Sequence, residues 1–169
     1  MSRDCFILSF LLIGINNIDL YKLEKSDISN AGRLVYQRRK TSRDYNIWIH
    51  PYALELIDKY KGEGNKLLYF SDKYVDHAGF TRALNTGLKE IAKSLDIPKL
   101  TMYYARHTWA TFAGELDIPK ETIKKGLGHG IDDVTDIYIK FNPKKVDKAN
   151  KKVIKYTKVF PSDKPMKNE

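Results

Sequence analysis

Apolar residues fill the positions from Cys5 to Ile15 almost without interruption, and Ile18, Leu20 and Leu23 extend the run. The stretch is too short to cross a bilayer. No small-x-small cleavage site follows it; Asn16, Asn17 and Asp19 follow instead. It predicts a buried core helix of about ten residues, capped by Asp4 and stopped near Gly14. Ile18, Leu20, Tyr21 and Leu23 predict a short second helix ending before Asp27. With a core helix this close to residue 1, the chain is expected to begin inside a domain, with preceding sequence lost or supplied elsewhere.

The pattern then changes period. Leu34-Val35-Tyr36 and Tyr45-Asn46-Ile47-Trp48-Ile49 are rich in β-formers, and the polar, basic segment Arg38-Arg39-Lys40-Thr41-Ser42-Arg43 separates them. This predicts a β-hairpin with a basic tip. Pro51 opens a helix running to about Tyr60, with Leu54, Leu56 and Ile57 as its apolar residues. Gly62 and Gly64 mark a turn, and Leu67 to Phe70 reads as either a strand or a buried loop. Phe80, Leu84, Leu88, Ile91 and Leu95 recur at helical spacing, with Pro98 as the stop. Further helices are predicted over Thr101 to Leu116, from Pro119 to Gly126 or Gly128, and after Asp132 or Asp133, the last carrying Tyr138. Pro143 begins a final helix with Val146, Ala149, Val153 and Ile154 along one stripe. The expected fold class is mainly α with a small antiparallel β-sheet (α+β). Residues 1–160 are expected to form one domain, and 161–169 have the composition of a frayed tail.

Composition narrows the partners. The chain has 169 residues and a formal net charge of +9, from 30 basic and 21 acidic residues. That excess fits a polyanion. From Lys140 onward ten lysines face three acids, so most of the excess lies in the last thirty residues, as an electrostatic arm or a solvated tail. Cys5 is the single cysteine, and no Cys/His cluster suggests a metal. The expected setting is a reducing, cytoplasmic one.

Three segments carry candidate chemistry: Tyr103-Tyr104-Ala105-Arg106-His107-Thr108-Trp109-Ala110-Thr111, then Gly126-Leu127-Gly128-His129, then Asp136-Ile137-Tyr138. Together they resemble the tyrosine recombinase (phage integrase) family, in its C-terminal catalytic domain. In that family a helix carries His-x-x-Arg, often continued as Arg-His-Ser/Thr-x-Ala-Thr. A Leu-Gly-His turn follows one helix later, and the tyrosine nucleophile comes shortly after it. Lys40-Thr41 on the hairpin also has a family counterpart. The resemblance implies that Tyr138 attacks a DNA phosphodiester and forms a 3′-phosphotyrosyl link. It implies that Arg106 grips the phosphate with its planar fork, that His129 hydrogen-bonds the same phosphate, and that Lys40 protonates the leaving 5′-oxygen. Arg38, Arg39 and Arg43 are the neighbouring DNA-contact candidates. No metal or other cofactor is implied. The implied partners are double-stranded DNA, in a nucleoid-associated setting, and further protomers of this chain; no membrane is involved. In the family the helix after the nucleophile often packs on a neighbouring protomer, so Lys144 to Tyr156 has two expected seats, a neighbour or its own domain. The family's N-terminal DNA-clamping domain has no counterpart in this sequence.

Two positions depart from the family pattern. Tyr103 stands where the family has histidine, three residues before Arg106, close enough on a helix to touch the same phosphate. A tyrosine hydroxyl donates a hydrogen bond but is a poor proton acceptor near neutral pH. Asn16 stands where the family has its first arginine, after Gly14-Ile15, while Asp19 fits the acidic position that follows. Losing that arginine removes several kcal/mol of transition-state stabilisation unless another group replaces it; Arg38 or Arg39 is a candidate. His107 is expected to point to a different helix face from Arg106, in packing or a buried hydrogen bond. The competing readings are a catalytically silent DNA-binding relative, a helix-turn-helix regulator, and a type IB topoisomerase.

Overall fold

The computed structural model describes residues 1–128 and 142–160. Among these the chain is mainly helical with one two-stranded antiparallel sheet. Helix α1 (Ser2–Leu11) is the hub, and its buried residues lie all round it, from Ser2 to Leu11. It packs against α3 (Pro51–Lys59), α5 (His77–Ser94) and α6 (Met102–Glu115). After Leu11 the backbone unwinds through Leu12, then turns left-handed at Ile13 and Gly14, where the Gly14 N–H reaches back to the Ser9 carbonyl at 2.7 Å. This is a common way to satisfy the last carbonyls of a helix.

Asp4 does not cap α1. It lies inside the first turn, 3 % exposed, and accepts from Lys59 Nζ at 2.7 Å, Tyr60 Oη at 2.9 Å and Arg3 Nε at 2.9 Å. Burial pushes its pKa up, but the hydrogen bonds from Lys59, Tyr60 and Arg3 outweigh that and bring it to about 2.

Asn16 caps α2 (Asn17–Lys22), a short 3₁₀ turn spans Lys25–Asp27, and the hairpin follows as β1 (Arg33–Gln37) and β2 (Asp44–Trp48). Leu34 pairs with Ile47 and Tyr36 with Tyr45, and all four face the core. Alternate positions face outward, as period-two geometry requires. The expected hairpin and its basic tip are therefore present. Leu67 to Phe70 is neither a strand nor a plain loop: Lys66 and Leu68 make isolated bridges to Glu24 and Lys61, and Phe70 opens a one-turn helix, α4 (Phe70–Lys73). In α3 the buried residues are Ala53, Leu56 and Ile57, whereas Leu54 is exposed. Helix α5 starts at an Asp76 cap and ends before Leu95, which is exposed.

Helix α7 (Lys120–Gly126) and helix α8 (Lys144–Tyr156) close the fold. The stripe Val146, Ala149, Val153 and Ile154 is buried, against α6, α7 and β2. The helix thus takes the seat on its own domain; its apolar side is not left over for a neighbouring protomer. Two polar devices fix it there. Arg33 on β1 grips Asp147 with both terminal nitrogens, at 2.8 and 3.0 Å. Asn150, almost fully buried, accepts from Trp109 Nε1 at 2.8 Å and donates to the Leu11 carbonyl at 2.9 Å. One amide therefore joins α8 to α6 and to the end of α1.

Asn150→Ala leaves the Trp109 N–H and the Leu11 carbonyl buried without partners. We expect it to lower the unfolding free energy in urea by about 3 kcal/mol, and a loss under about 1 kcal/mol contradicts this account of α8. Asp4 supplies a second test. Its depressed folded pKa stabilises the fold above the unfolded carboxylate range, about pH 4, and that stability is lost as pH falls toward about 2. An acid titration of tryptophan fluorescence should show this loss in the wild type, and less of it in Asp4→Asn.

Candidate phosphate-binding cleft

Arg106 projects from the second turn of α6, and its base rests on Gly14. A Cβ on Gly14 would collide with the Arg106 Cα, Cβ and Cγ, and the backbone φ of +70° there already favours glycine. The guanidinium is then stitched to two main-chain carbonyls. Its Nη1 donates to the Gly14 carbonyl at 3.2 Å and its Nη2 to the Leu127 carbonyl. The Leu127 carbonyl also accepts from Tyr45 Oη at 2.7 Å. Arg43 Nη1 donates to the Gly128 carbonyl at 3.3 Å. The turn at the end of α7 is thus bonded to α6 and to the hairpin. Gly128, at φ +61°, lies against the hydroxyl end of Tyr45, where a side chain has no room. His129 and Tyr138, the candidate phosphate ligand and nucleophile, lie outside the described residues.

In front of Arg106 opens a cleft of about 330 Å³. Arg38 from the hairpin, Asn16 from the turn after α1, Thr81 and Asn85 from α5, and Tyr103 from α6 share its lining, and among the described residues no carboxylate does. Tyr103 is 62 % exposed and stands beside Arg106, as the three-residue spacing on α6 predicts. His107 differs from expectation. It is exposed and sits edge-on to the Tyr103 ring at 4.3 Å, because residues four apart share a helix face. Tyr104 and Tyr156 are exposed too.

The basic tip divides its residues. Arg38 is half-buried and lines the cleft, while Arg39 and Lys40 are exposed and do not. Arg39 contributes its main chain, its N–H donating to Asp19 Oδ1 at 3.0 Å. Asp19 is 4 % exposed. Burial pushes its carboxyl pKa up, against the Arg39 hydrogen bond and the charges of Arg38, Arg39 and Arg106. Tyr36, stacked on Tyr45 with ring centres 5.1 Å apart, is pushed well above the usual phenol range, chiefly by burial.

Sequence reasoning missed Tyr45, Thr81 and Asn85. Thr81 and Asn85 carried a readable signal: four residues apart, they flank the stripe of Phe80, Leu84 and Leu88 and form a polar edge to it. Thr81 Oγ1 accepts from Asn17 Nδ2 at 2.8 Å and so ties α5 to the start of α2. The choice between Arg38 and Arg39 was also readable. The alternation that buries Leu34 and Tyr36 carries Arg38 to the inner side and Arg39 to the outer one. Tyr45 gave no such signal, because nothing in the sequence says which carbonyl its hydroxyl meets. His50 is buried and caps α3, accepting from the Tyr52 N–H at 3.2 Å.

Among the described residues no group of three or more His, Cys, Asp or Glu side chains could hold a metal ion, and no helix is long and apolar enough to cross a membrane. No protein-family model matches the chain, and a comparison with curated proteins returns no significant match.

Gly32 and Gly128 separate strain from collision. Both have positive φ, but a Cβ at Gly32 meets open space and one at Gly128 meets the Tyr45 ring. Gly32→Ala should cost roughly 1 kcal/mol of stability, the left-handed penalty alone. Gly128→Ala should cost at least about twice that, read from denaturant midpoints. Equal losses would contradict the described seat of Gly128.

Proposed function

We propose that this chain is a DNA strand-breaking and rejoining enzyme, built on the tyrosine recombinase catalytic-core fold. The observation that carries the reading is the bonding of Arg106 to the Leu127-Gly128 turn, beside a cleft that the hairpin also lines. Among the described residues, the turn after α1 and the turn after α7 meet at one guanidinium on α6, with the hairpin bonded to the second turn. Convergence around a cation, in a cleft whose described lining has no carboxylate, suits a reaction at phosphorus. Such a reaction passes through a highly charged transition state and needs fixed positive donors on the non-bridging oxygens.

In this reading the Tyr138 hydroxyl oxygen attacks the phosphorus of a duplex DNA backbone, its own proton passing to solvent water as the O–P bond forms. A 3′-phosphotyrosyl bond forms and the bond to the 5′-oxygen breaks, with Lys40 giving that oxygen its proton. Arg106 and His129 hold the non-bridging oxygens, and Tyr103 donates from its hydroxyl. The covalent link preserves the bond energy, so a free 5′-hydroxyl can reverse the step on another strand. Exposure of Lys40 at the hairpin tip suits a group that must reach the DNA from above the cleft.

A second reading is a DNA-binding relative without cleavage activity. One observation favours it: Asn16, uncharged, lines the cleft together with the start of α6.

The test uses nicked suicide duplexes drawn from a random-sequence pool by binding to the protein. We expect a covalent protein–DNA adduct on denaturing gels with the wild type and none with Tyr138→Phe. Arg106→Gln should slow adduct formation by roughly a hundredfold or more. An adduct that persists in Tyr138→Phe overturns the nucleophile assignment. A bound duplex that never yields adduct with the wild type favours the silent reading.

A further inference from the structure

One hydroxyl in the cleft wall is bonded on two sides, and one of those bonds can reverse. Thr81, half-buried on α5, lines the cleft beside Asn17 and Asn85. Its Oγ1 accepts from Asn17 Nδ2 at 2.8 Å. It also stands 3.1 Å from Nε2 of His77, one turn earlier on the same helix. A hydroxyl has one proton to give and two lone pairs to offer. The Asn17 amide nitrogen can only donate, so it occupies one lone pair. The other lone pair and the proton are left over, and His77 meets one of them.

Which one it meets depends on the charge of His77. A bare Nε2 takes the Thr81 proton, and the hydroxyl then has nothing to donate elsewhere. An Nε2–H takes the lone pair and leaves the hydroxyl proton free for the cleft. The neutral ring reaches either arrangement by choice of tautomer. The imidazolium carries a proton on both nitrogens and allows only the second. An oxyanion in the cleft needs donors, so it selects the second arrangement too. Two equilibria that favour one hydrogen-bond pattern are linked. The surroundings of His77 leave room for the link to act. Burial and the Lys22 charge hold its pKa below the ordinary histidine range, against the opposing charges of Asp76 and Asp19. Among the described residues the charges facing it are therefore Lys22 and Asp19 from α2 and Asp76 at the cap of α5. Tyr21, also from α2, adds an uncharged ring with its centre 5.9 Å away. The ring of His77 is mainly neutral near pH 7, so an arriving anion has a proton to draw in.

We propose that the Thr81 hydroxyl is an anion donor of the cleft and that His77 sets its direction, so that protonation of His77 and binding of an oxyanion in the cleft strengthen each other. His77 does not line the cleft; it acts through Thr81 and is a positioning residue. Asn17 keeps the hydroxyl oxygen in place while its proton turns. The cleft therefore holds an oxyanion more tightly as pH falls through the titration of His77. That the oxyanion is a phosphodiester of DNA rests on the function proposed above; the linkage itself does not.

The probe is sulfate, whose charge does not change across the histidine range, added at constant ionic strength against chloride. The histidine ring C–H signals are followed by NMR as pH is varied, and His77→Gln identifies the signal of His77. Saturating sulfate should raise the His77 pKa by roughly half a unit or more, and sulfate should bind the protonated form about threefold or more tightly, the same factor read from the other side. Thr81→Ser should keep the shift. Thr81→Val removes the hydroxyl at nearly constant volume and should cut the shift to less than about half, the remainder being direct charge attraction. The backbone amide spectrum reports that each variant is folded. A His77 pKa that sulfate leaves unmoved overturns the proposal, as does an undiminished shift in folded Thr81→Val. The suicide-duplex assay separates the two claims. A sulfate-linked His77 in a protein that forms no DNA adduct keeps the linkage and sinks the enzyme reading. Adduct formation by a protein whose His77 ignores sulfate does the reverse.

Discussion

The guanidinium of Arg106 cannot be moved without disturbing three parts of the fold. The base of the side chain lies on Gly14 so closely that a methyl group there would strike it, and the guanidinium donates to the carbonyls at both ends of a long chain excursion, Gly14 and Leu127. Two consequences follow. The turn after α1 must be left-handed, which explains why Gly14 follows an apolar run that would otherwise continue the helix. The end of α7 must also approach α6, and Tyr45 and Arg43 bring the hairpin to the same place. A charged group bonded to main-chain carbonyls has few alternative rotamers, so the cleft in front of it is pre-shaped.

The rest of the structure works as a frame around that constraint. Helix α8 is held to α6 and α1 by Asn150, and to the hairpin by the Arg33–Asp147 pair. The hairpin is held at its other end by Asp19. Its position over the cleft is therefore set from both sides, and the core beneath it, with Leu34, Tyr36, Tyr45 and Ile47, fixes its register. Electrostatics and packing agree here. The buried acid at residue 19 is tolerated because it accepts a backbone N–H and sits among arginine charges, the usual condition for burying a carboxylate.

Elements whose pattern is periodic were legible in the sequence. The hairpin, the stripe of α5 and the stripe of α8 follow from spacing alone, because burial on one face imposes a period of two or of about 3.6 residues. Features that depend on a distant partner were not legible. Asp4 has the position of a cap, but Lys59 and Tyr60 capture it from α3 and beyond. Leu54 and Leu95 fit a helical apolar pattern yet face solvent, since the neighbouring elements cover other residues. Asn150 looks like a polar flaw in an apolar stripe until Trp109 and the Leu11 carbonyl are seen beside it. In the cleft, the motif named Arg106 and Tyr103, and the structure brings them together. Lys40 is on the expected tip but outside the cleft lining, and Arg38 faces inward in its place. His129 and Tyr138 rest on the motif.

The central claim is a covalent bond between DNA and one tyrosine, and peptide mapping reads that bond directly. Trypsin cleavage after Lys125 and Lys140 releases a peptide whose single tyrosine is Tyr138. After reaction with a suicide duplex and nuclease trimming, tandem mass spectrometry should find a nucleotide phosphate on Tyr138. A nucleotide on any other residue, or an unmodified peptide from protein that has bound and cut the duplex, would contradict the account.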